Sequence, residues 1–272
     1  MKKWLVRMIQ LILIAIILYC GYQIGTYVWS RYRGEEEFHA IEKKIEKLRP
    51  PVDSSATETE KTQILDYRSV MELLRSENTD SVMYLEIQGT KTAYPVVQAK
   101  DNDFYLRRNM KREYNIAGTL FLDYENRPDL TDQNTVIYGH MFYQGDQMFG
   151  VLKHFLDQEY TDQSPKTFTL VHDGGINTYR IFSIYHVAAD APYRNPNTAE
   201  DEWADFLQKT AAESETNMQF TRTLTAKDRV VTLSTCTPNQ DDSKRLAIVG
   251  VLESITTDEG TVYMDGRTEE KP

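Results

Sequence analysis

Three regimes of hydrophobic patterning divide the chain. Residues 8–29, MIQLILIAIILYCGYQIGTYVW, pass without a charged side chain. At ~1.5 Å rise per residue, a helix of that length covers a hydrocarbon core of about 30 Å. The next stretch, GEEEFHAIEKKIEKLRP (34–50), is charged except at Phe38, Ile41, Ile45 and Leu48. That spacing predicts a short amphipathic helix, ended by Pro50-Pro51, with His39 on its solvated face. Residues 50–62 are polar and read as a linker. From residue 63 the pattern becomes that of a packed domain. YRSVMELLRSEN predicts a helix with Val70, Leu73 and Leu74 inward.

Short β-rich runs follow: MYLEI (83–87), YPVVQ (94–98), GTLFLD (118–123) and NTVIYGH (134–140). TFTLVH (167–172) and NTYRIFSIYHV (177–187) flank Asp173-Gly174-Gly175, a hairpin signal. Residues 198–216 predict a helix that gathers Trp203, Phe206 and Leu207 on one face and acids at its start. RVVTLST (229–235) and RLAIVGVLE (245–253) predict two more strands, and the residues after Ile255 read as a polar, frayed tail. Some eight strands with helices between them fit a mostly β barrel or sandwich rather than alternating βαβ units.

Charge sharpens the location. The chain carries a net charge of −10, yet residues 1–33 hold five cations and no acid, which leaves −15 on the remainder. So acidic a domain repels phosphate backbones, and no nucleic acid partner is expected. Lys2, Lys3 and Arg7 ahead of the apolar run favour an N-terminus in the cytoplasm and a domain outside. No A-x-A-like cleavage site follows the run, and Tyr19 before Cys20 does not suit lipoprotein processing, so an uncleaved anchor is expected. The expected organisation is a cytoplasmic N-terminus (1–7), a single-pass anchor (8–29), a helical and linker stalk (30–62), a catalytic domain (63–256) and a tail (257–272).

Cysteine count then frames the chemistry. Cys20 lies in the anchor, so Cys236 has no disulfide partner in its own domain. A lone extracytoplasmic thiol is either a bystander or a reactive group. His154, His172 and His186 read as structural or exposed. No His-x-x-x-His or Cys/His cluster exists, so no zinc site and no cofactor are expected. DNDFYL (101–106) opens like a calcium loop but lacks glycine at its sixth position, and reads as a turn into a helix. His140 differs, because it follows a buried strand and a glycine. Cys236 ends one apolar run and Arg245 begins the next, across the eight intervening residues TPNQDDSK. If those strands are neighbours, His140, Cys236 and Arg245 converge as general acid, nucleophile and electrostatic stabiliser of an amide-cleaving site.

TLSTC followed by Arg245, with YGH upstream in NTVIYGHMF, resembles the catalytic signature of sortases, membrane-anchored cysteine transpeptidases of Gram-positive bacteria. The resemblance spans about residues 65–255. GTKTAYPVVQAKDNDFYL (89–106), GTLFLDYEN (118–126) and the helix at 198–216 resemble the class B pattern in particular. It implies a closed eight-stranded β-barrel with N-terminal helices and a helix inserted before the last two strands. It implies catalytic roles for His140, Cys236 and Arg245, and a peptide groove lined by Asn102, Leu106, Tyr138, Ser234 and Thr235. Two positions depart from the pattern: Thr237 stands where an acid often follows the cysteine, and Tyr84 where tryptophan is common.

The implied activity is cleavage of a sorting motif, NPxTN-like or related, after its threonine. A thioester on Cys236 then passes to a cell-wall peptide amine. The implied partners are the sorting peptide of secreted surface proteins, a peptidoglycan amine, and the membrane through the N-terminal helix. A pilin lysine as acceptor would make the protein a pilus polymerase. A water-using cysteine peptidase and a non-catalytic peptide-binding module are the competing readings. Papain-like enzymes place cysteine before histidine, the reverse of the order here.

Overall fold

The computed structural model describes residues 2–49, 65–142, 145–236, 241 and 243–264, with Lys2 and Cys236 described by backbone alone. Among these residues, nine strands are joined in one sheet: β1 (Ser81–Ile87), β2 (Ala93–Val97), β3 (Leu120–Leu122), β4 (Asn134–Tyr138), β5 (Thr167–His172), β6 (Gly175–Ala188), β7 (Val230–Cys236), β8 (Lys244–Thr257) and β9 (Gly260–Tyr263). Their order is β6-β5-β1-β2-β3-β4-β7-β8-β9, and β6 also pairs with β8. That last pairing closes β1 to β8 into an eight-stranded barrel and leaves β9 as an outrigger. Two neighbouring pairs are parallel, β2 with β3 and β4 with β7.

Strand alternation builds two cores. Ile137, Val231, Leu233, Leu246 and Ile248 point into the barrel. Val230, Ala247, Val249 and Val251 point outward, under Trp203 and Leu207 of the helix at Glu200–Ala212. Trp203 is fully buried and donates its indole N–H to the carbonyl of Asp228 at 2.9 Å, so its polar atom is satisfied. Glu200, Asp201 and Glu202 in the first turn oppose the positive end of the helix dipole.

The hairpin turn falls between β5 and β6 as its Asp-Gly-Gly signal predicts. DNDFYL is a turn: Asp101 Oδ1 accepts from the N–H groups of Asp103 and Phe104 and leads into a 3-10 turn at Phe104–Arg107. The helix α2 (Tyr67–Glu77) buries Val70 and Leu74 as expected, and Met71 as well, while Leu73 packs at the rim.

The two ends of the domain depart from the pattern reading. The anchor and the amphipathic helix form one continuous helix, α1 (Lys2–Glu46). Its last turns are part of the barrel's core rather than a stalk: Phe38, Ile41 and Ile45 are buried, and Phe38 meets Tyr94 edge-on at 5.2 Å. Arg49, just past its end, pairs with Glu86 of β1. Gly34 does not break the helix. A Cβ there would lie 2.6 Å from Nδ2 of Asn115, so glycine admits a loop of the domain against the helix. The expected linker, residues 50–62, lies outside the described residues. At the other end β8 runs to Thr257 and turns into β9, where a frayed tail is expected from sequence. The four β9 residues alternate between exposed and half-buried, so their apolar signal is weak and pairing with β8 supplies the order.

Candidate active site

Register brings the three candidate residues to one edge of the barrel. Tyr138 of β4 lies alongside Ser234 of β7 in a parallel pairing, extended by Gly139 N–H to Ser234 O at 3.2 Å. Two further residues along these parallel chains are His140 and Cys236. On the other side of β7, Cys236 is the antiparallel partner of Arg245. Thus Cys236 and Arg245 are paired on adjacent strands, and His140 follows two residues after the end of β4, which pairs with β7. Gly139 lies tight against the core: a Cβ there would come within 2.4 Å of Leu120 Cδ2 and 2.7 Å of Phe149 Cδ2.

His140 is half-buried and its Nε2 meets the carbonyl of Leu106 at 2.7 Å. A carbonyl only accepts, so Nε2 carries the proton, and in the neutral ring Nδ1 keeps the lone pair. Burial is the largest influence on the ring and holds its pKa below the ordinary histidine value. The Leu106 bond opposes the shift and the charge of Arg107 adds to it. The segment after His140 is braced: Phe149 N–H donates to His140 O at 3.0 Å, and Met148 N–H to the Tyr94 hydroxyl at 3.2 Å. Arg245 is half-buried, donates from Nη1 to Lys244 O at 2.8 Å, and its charge reaches the hydroxyl of Tyr193.

The expected groove residues divide into two groups. Asn102 and Tyr138 converge on Asp123, whose Oδ2 accepts from Asn102 Nδ2 at 3.0 Å and from the Tyr138 hydroxyl at 2.7 Å. Burial, with the Asp123 charge beside it, pushes the Tyr138 phenol far up, so it stays a proton donor. Leu106 is exposed at this rim. Ser234 and Thr235, by contrast, present no surface, at 1% and 3% exposure. The reason is that β7 is covered on both faces. Ser234 Oγ is bound to the Tyr193 hydroxyl at 2.9 Å, and Thr235 Oγ1 is buried without a partner among the described residues. Thr237 lies outside the described residues.

Three site neighbours escape a reading by motif: Asp123, Tyr193 and Arg194. Asp123 ends the run GTLFLD, a buried acid after an apolar strand, which is a usable signal. Tyr193 and Arg194 reach the site only through tertiary structure. The loop they occupy is pinned by Asn134, whose Nδ2 donates to Tyr193 O at 2.8 Å, and Arg194 then comes within reach of Tyr138.

The buried histidines give the fold an acid-sensitive term. His172, like His140, is held below its ordinary value chiefly by burial, with its bond to Asn177 opposing. Near pH 6 the unfolded chain therefore binds more protons than the folded one, so stability rises with pH and is lost as pH falls through about 6.5. Thermal melts from pH 7.5 down to pH 5.5 should show a falling midpoint, and His172→Gln should flatten the slope. An unchanged slope in that variant would remove His172 from the account.

Comparison with known proteins agrees with this architecture. The sortase-domain family matches residues 85–253. A sortase B of Listeria monocytogenes is 31% identical over 92% of this chain and 98% of its own. The Staphylococcus aureus sortase B–substrate complex superposes with a TM-score of 0.65 at 27% identity, covering 82% of this chain and 95% of that one. A sortase B complexed with triglycine gives a TM-score of 0.66 at 28% identity over 82% of this chain and 96% of that one. The chain belongs to the sortase family, in its B class. Its activity is accordingly that of a sortase transpeptidase.

Proposed function

We propose that Cys236 is the nucleophile of a transpeptidase that cuts a sorting peptide of NPxTN-like or related type after threonine. The thiol passes its proton to Nδ1 of His140, the ring nitrogen not committed to Leu106. The thiolate sulfur bonds to the threonine carbonyl carbon and the carbonyl oxygen takes the negative charge. Arg245 stabilises that oxyanion. The carbon–nitrogen bond then breaks, and the departing nitrogen takes the proton from the His140 imidazolium. An amine attacks the resulting thioester, His140 accepts the amine's proton, and the thiolate leaves. The observation that supports these roles is the shared register of the three backbones. Burial of His140 favours the step that needs an acid, because a ring with a depressed pKa gives up its proton readily.

The acceptor proposed is the amine of a cell-wall cross-bridge, since a related sortase B is known with triglycine bound. A pilin lysine would enter the same chemistry. The basic N-terminus and the helix whose residues 8–29 carry no charged side chain support a single-pass anchor with the barrel outside the membrane. Intact-mass spectrometry of the purified full chain with a panel of sorting peptides tests the proposal. An acyl adduct on Cys236 that triglycine, but not a lysine peptide, discharges is the expected result. Water as the preferred acceptor would make the protein a peptidase, and no adduct with any peptide would overturn the mechanism.

A further inference from the structure

The α1 helix crosses from its apolar span straight into contacts with the catalytic edge. Its apolar run ends at Trp29. One residue later, the Ser30 carbonyl accepts from Asn115 Nδ2 at 3.0 Å and Ser30 Oγ accepts from Ile116 N–H at 3.2 Å. Arg31 donates to Gln147 Oε1 at 3.0 and 2.7 Å and stacks 4.2 Å over the ring of Phe142, two residues past His140. Gly34 is the notch that lets Asn115 approach.

These contacts fix a height. At ~1.5 Å per residue, Ser30 to Gly34 lie about 2 to 8 Å beyond the end of the hydrocarbon span, within the ~5–7 Å headgroup layer or at its outer limit. The loop 109–117, held to both residues, is at the same level. Tyr114, beside Asn115, is 71% exposed, far more than a ring at the rim of a packed domain needs to be. Trp29 and Tyr32 on α1 are likewise exposed at 62% and 55%, and Arg33 projects beside them. Aromatic rings with a cation at this depth are the pattern of side chains that settle at a membrane–water interface.

We propose that the loop 109–117 is a second membrane contact. Tyr114 rests among lipid headgroups with Trp29 and Tyr32, and seats the domain with the His140 edge facing the bilayer. The proposal depends on α1 spanning the membrane. The loop's connection to the site is direct: Leu106, which holds His140, lies on the same excursion, and Arg108 pairs by backbone with Tyr114.

The full chain in phosphatidylglycerol–phosphatidylcholine vesicles, with a nitroxide on some headgroups, allows a depth measurement. Cys20→Ser and Cys236→Ala leave one thiol for an environment-sensitive dye, introduced by Tyr114→Cys or by Val262→Cys. Val262 is 62% exposed on β9 and pairs with Ile255, ten residues along β8 from Arg245. At ~3.3 Å per residue that is about 33 Å from the catalytic edge, so it serves as the distant control. The expected result is several-fold stronger quenching and bluer emission at position 114 than at 262. Equal quenching in vesicles that carry the protein overturns the second contact alone. Failure of the protein to float with vesicles overturns the anchor, and the second contact with it.

Discussion

Cys236→Ala leaves a folded protein that no longer forms an acyl adduct and loses turnover by ~10⁵-fold or more, the scale on which covalent enzymes respond to loss of the nucleophile. The residue ends β7, and its backbone pairing with Arg245 does not depend on the side chain, so the fold tolerates alanine. The comparison that matters is between turnover and peptide binding. A variant that still binds the sorting peptide with ordinary affinity but never acylates separates chemistry from recognition. Unchanged cleavage by the alanine variant would return the domain to the class of peptide-binding modules or place the nucleophile elsewhere.

Arg245→Lys should lose ~10²-fold or more in kcat, because loss of one oxyanion donor costs about 3 kcal/mol and an ammonium cannot reproduce a guanidinium's fork. The effect should fall on kcat with little change in KM if the contact exists only in the transition state. The Arg245 charge also acts on the Tyr193 hydroxyl, which is bound to Ser234. A purely structural role would therefore appear as a lowered melting temperature, with kcat retained in the molecules that remain folded. Single-turnover acylation and a thermal melt on the same preparation distinguish the two.

Much of the barrel was legible from local pattern because its strands are short, apolar and separated by strong turn chemistry. The hairpin at Asp173-Gly174-Gly175 and the helix around Trp203 are examples. The convergence of His140, Cys236 and Arg245 was legible only as a condition, that the strands be neighbours. Their neighbourhood depends on a parallel pairing between β4 and β7, which are separated by almost a hundred residues of sequence. Nothing local to NTVIY or VVTLS specifies that pairing. Asp123 carried a faint signal as a buried acid ending a strand. Tyr193 carried none, because its position is set by Asn134 reaching across from β4.

Ser234 and Thr235 illustrate the opposite difficulty. Adjacency to Cys236 in a motif suggests groove surface, yet a strand covered on both faces leaves them no solvent. The continuous α1 and the added β9 were also missed. Local pattern shows the amphipathic face of the last turns of α1 but not their continuity with the apolar run or their packing on the barrel, and β9 gains its order from pairing with β8, as Val262 with Ile255.

With α1 spanning the membrane as proposed, the single helix that runs from its apolar segment into the barrel's core is a strut, whereas a polar stalk would be a leash. A leashed domain samples a volume whose radius grows with the length of its linker. A domain mounted on a strut can turn about the helix axis and drift in the plane of the bilayer, but its catalytic edge keeps one altitude. Its substrates must therefore meet it there. Under the proposed function, a cleavage motif would have to be presented close to the lipid surface, and its spacing from the substrate's own membrane attachment would become a criterion of selection independent of the motif's letters.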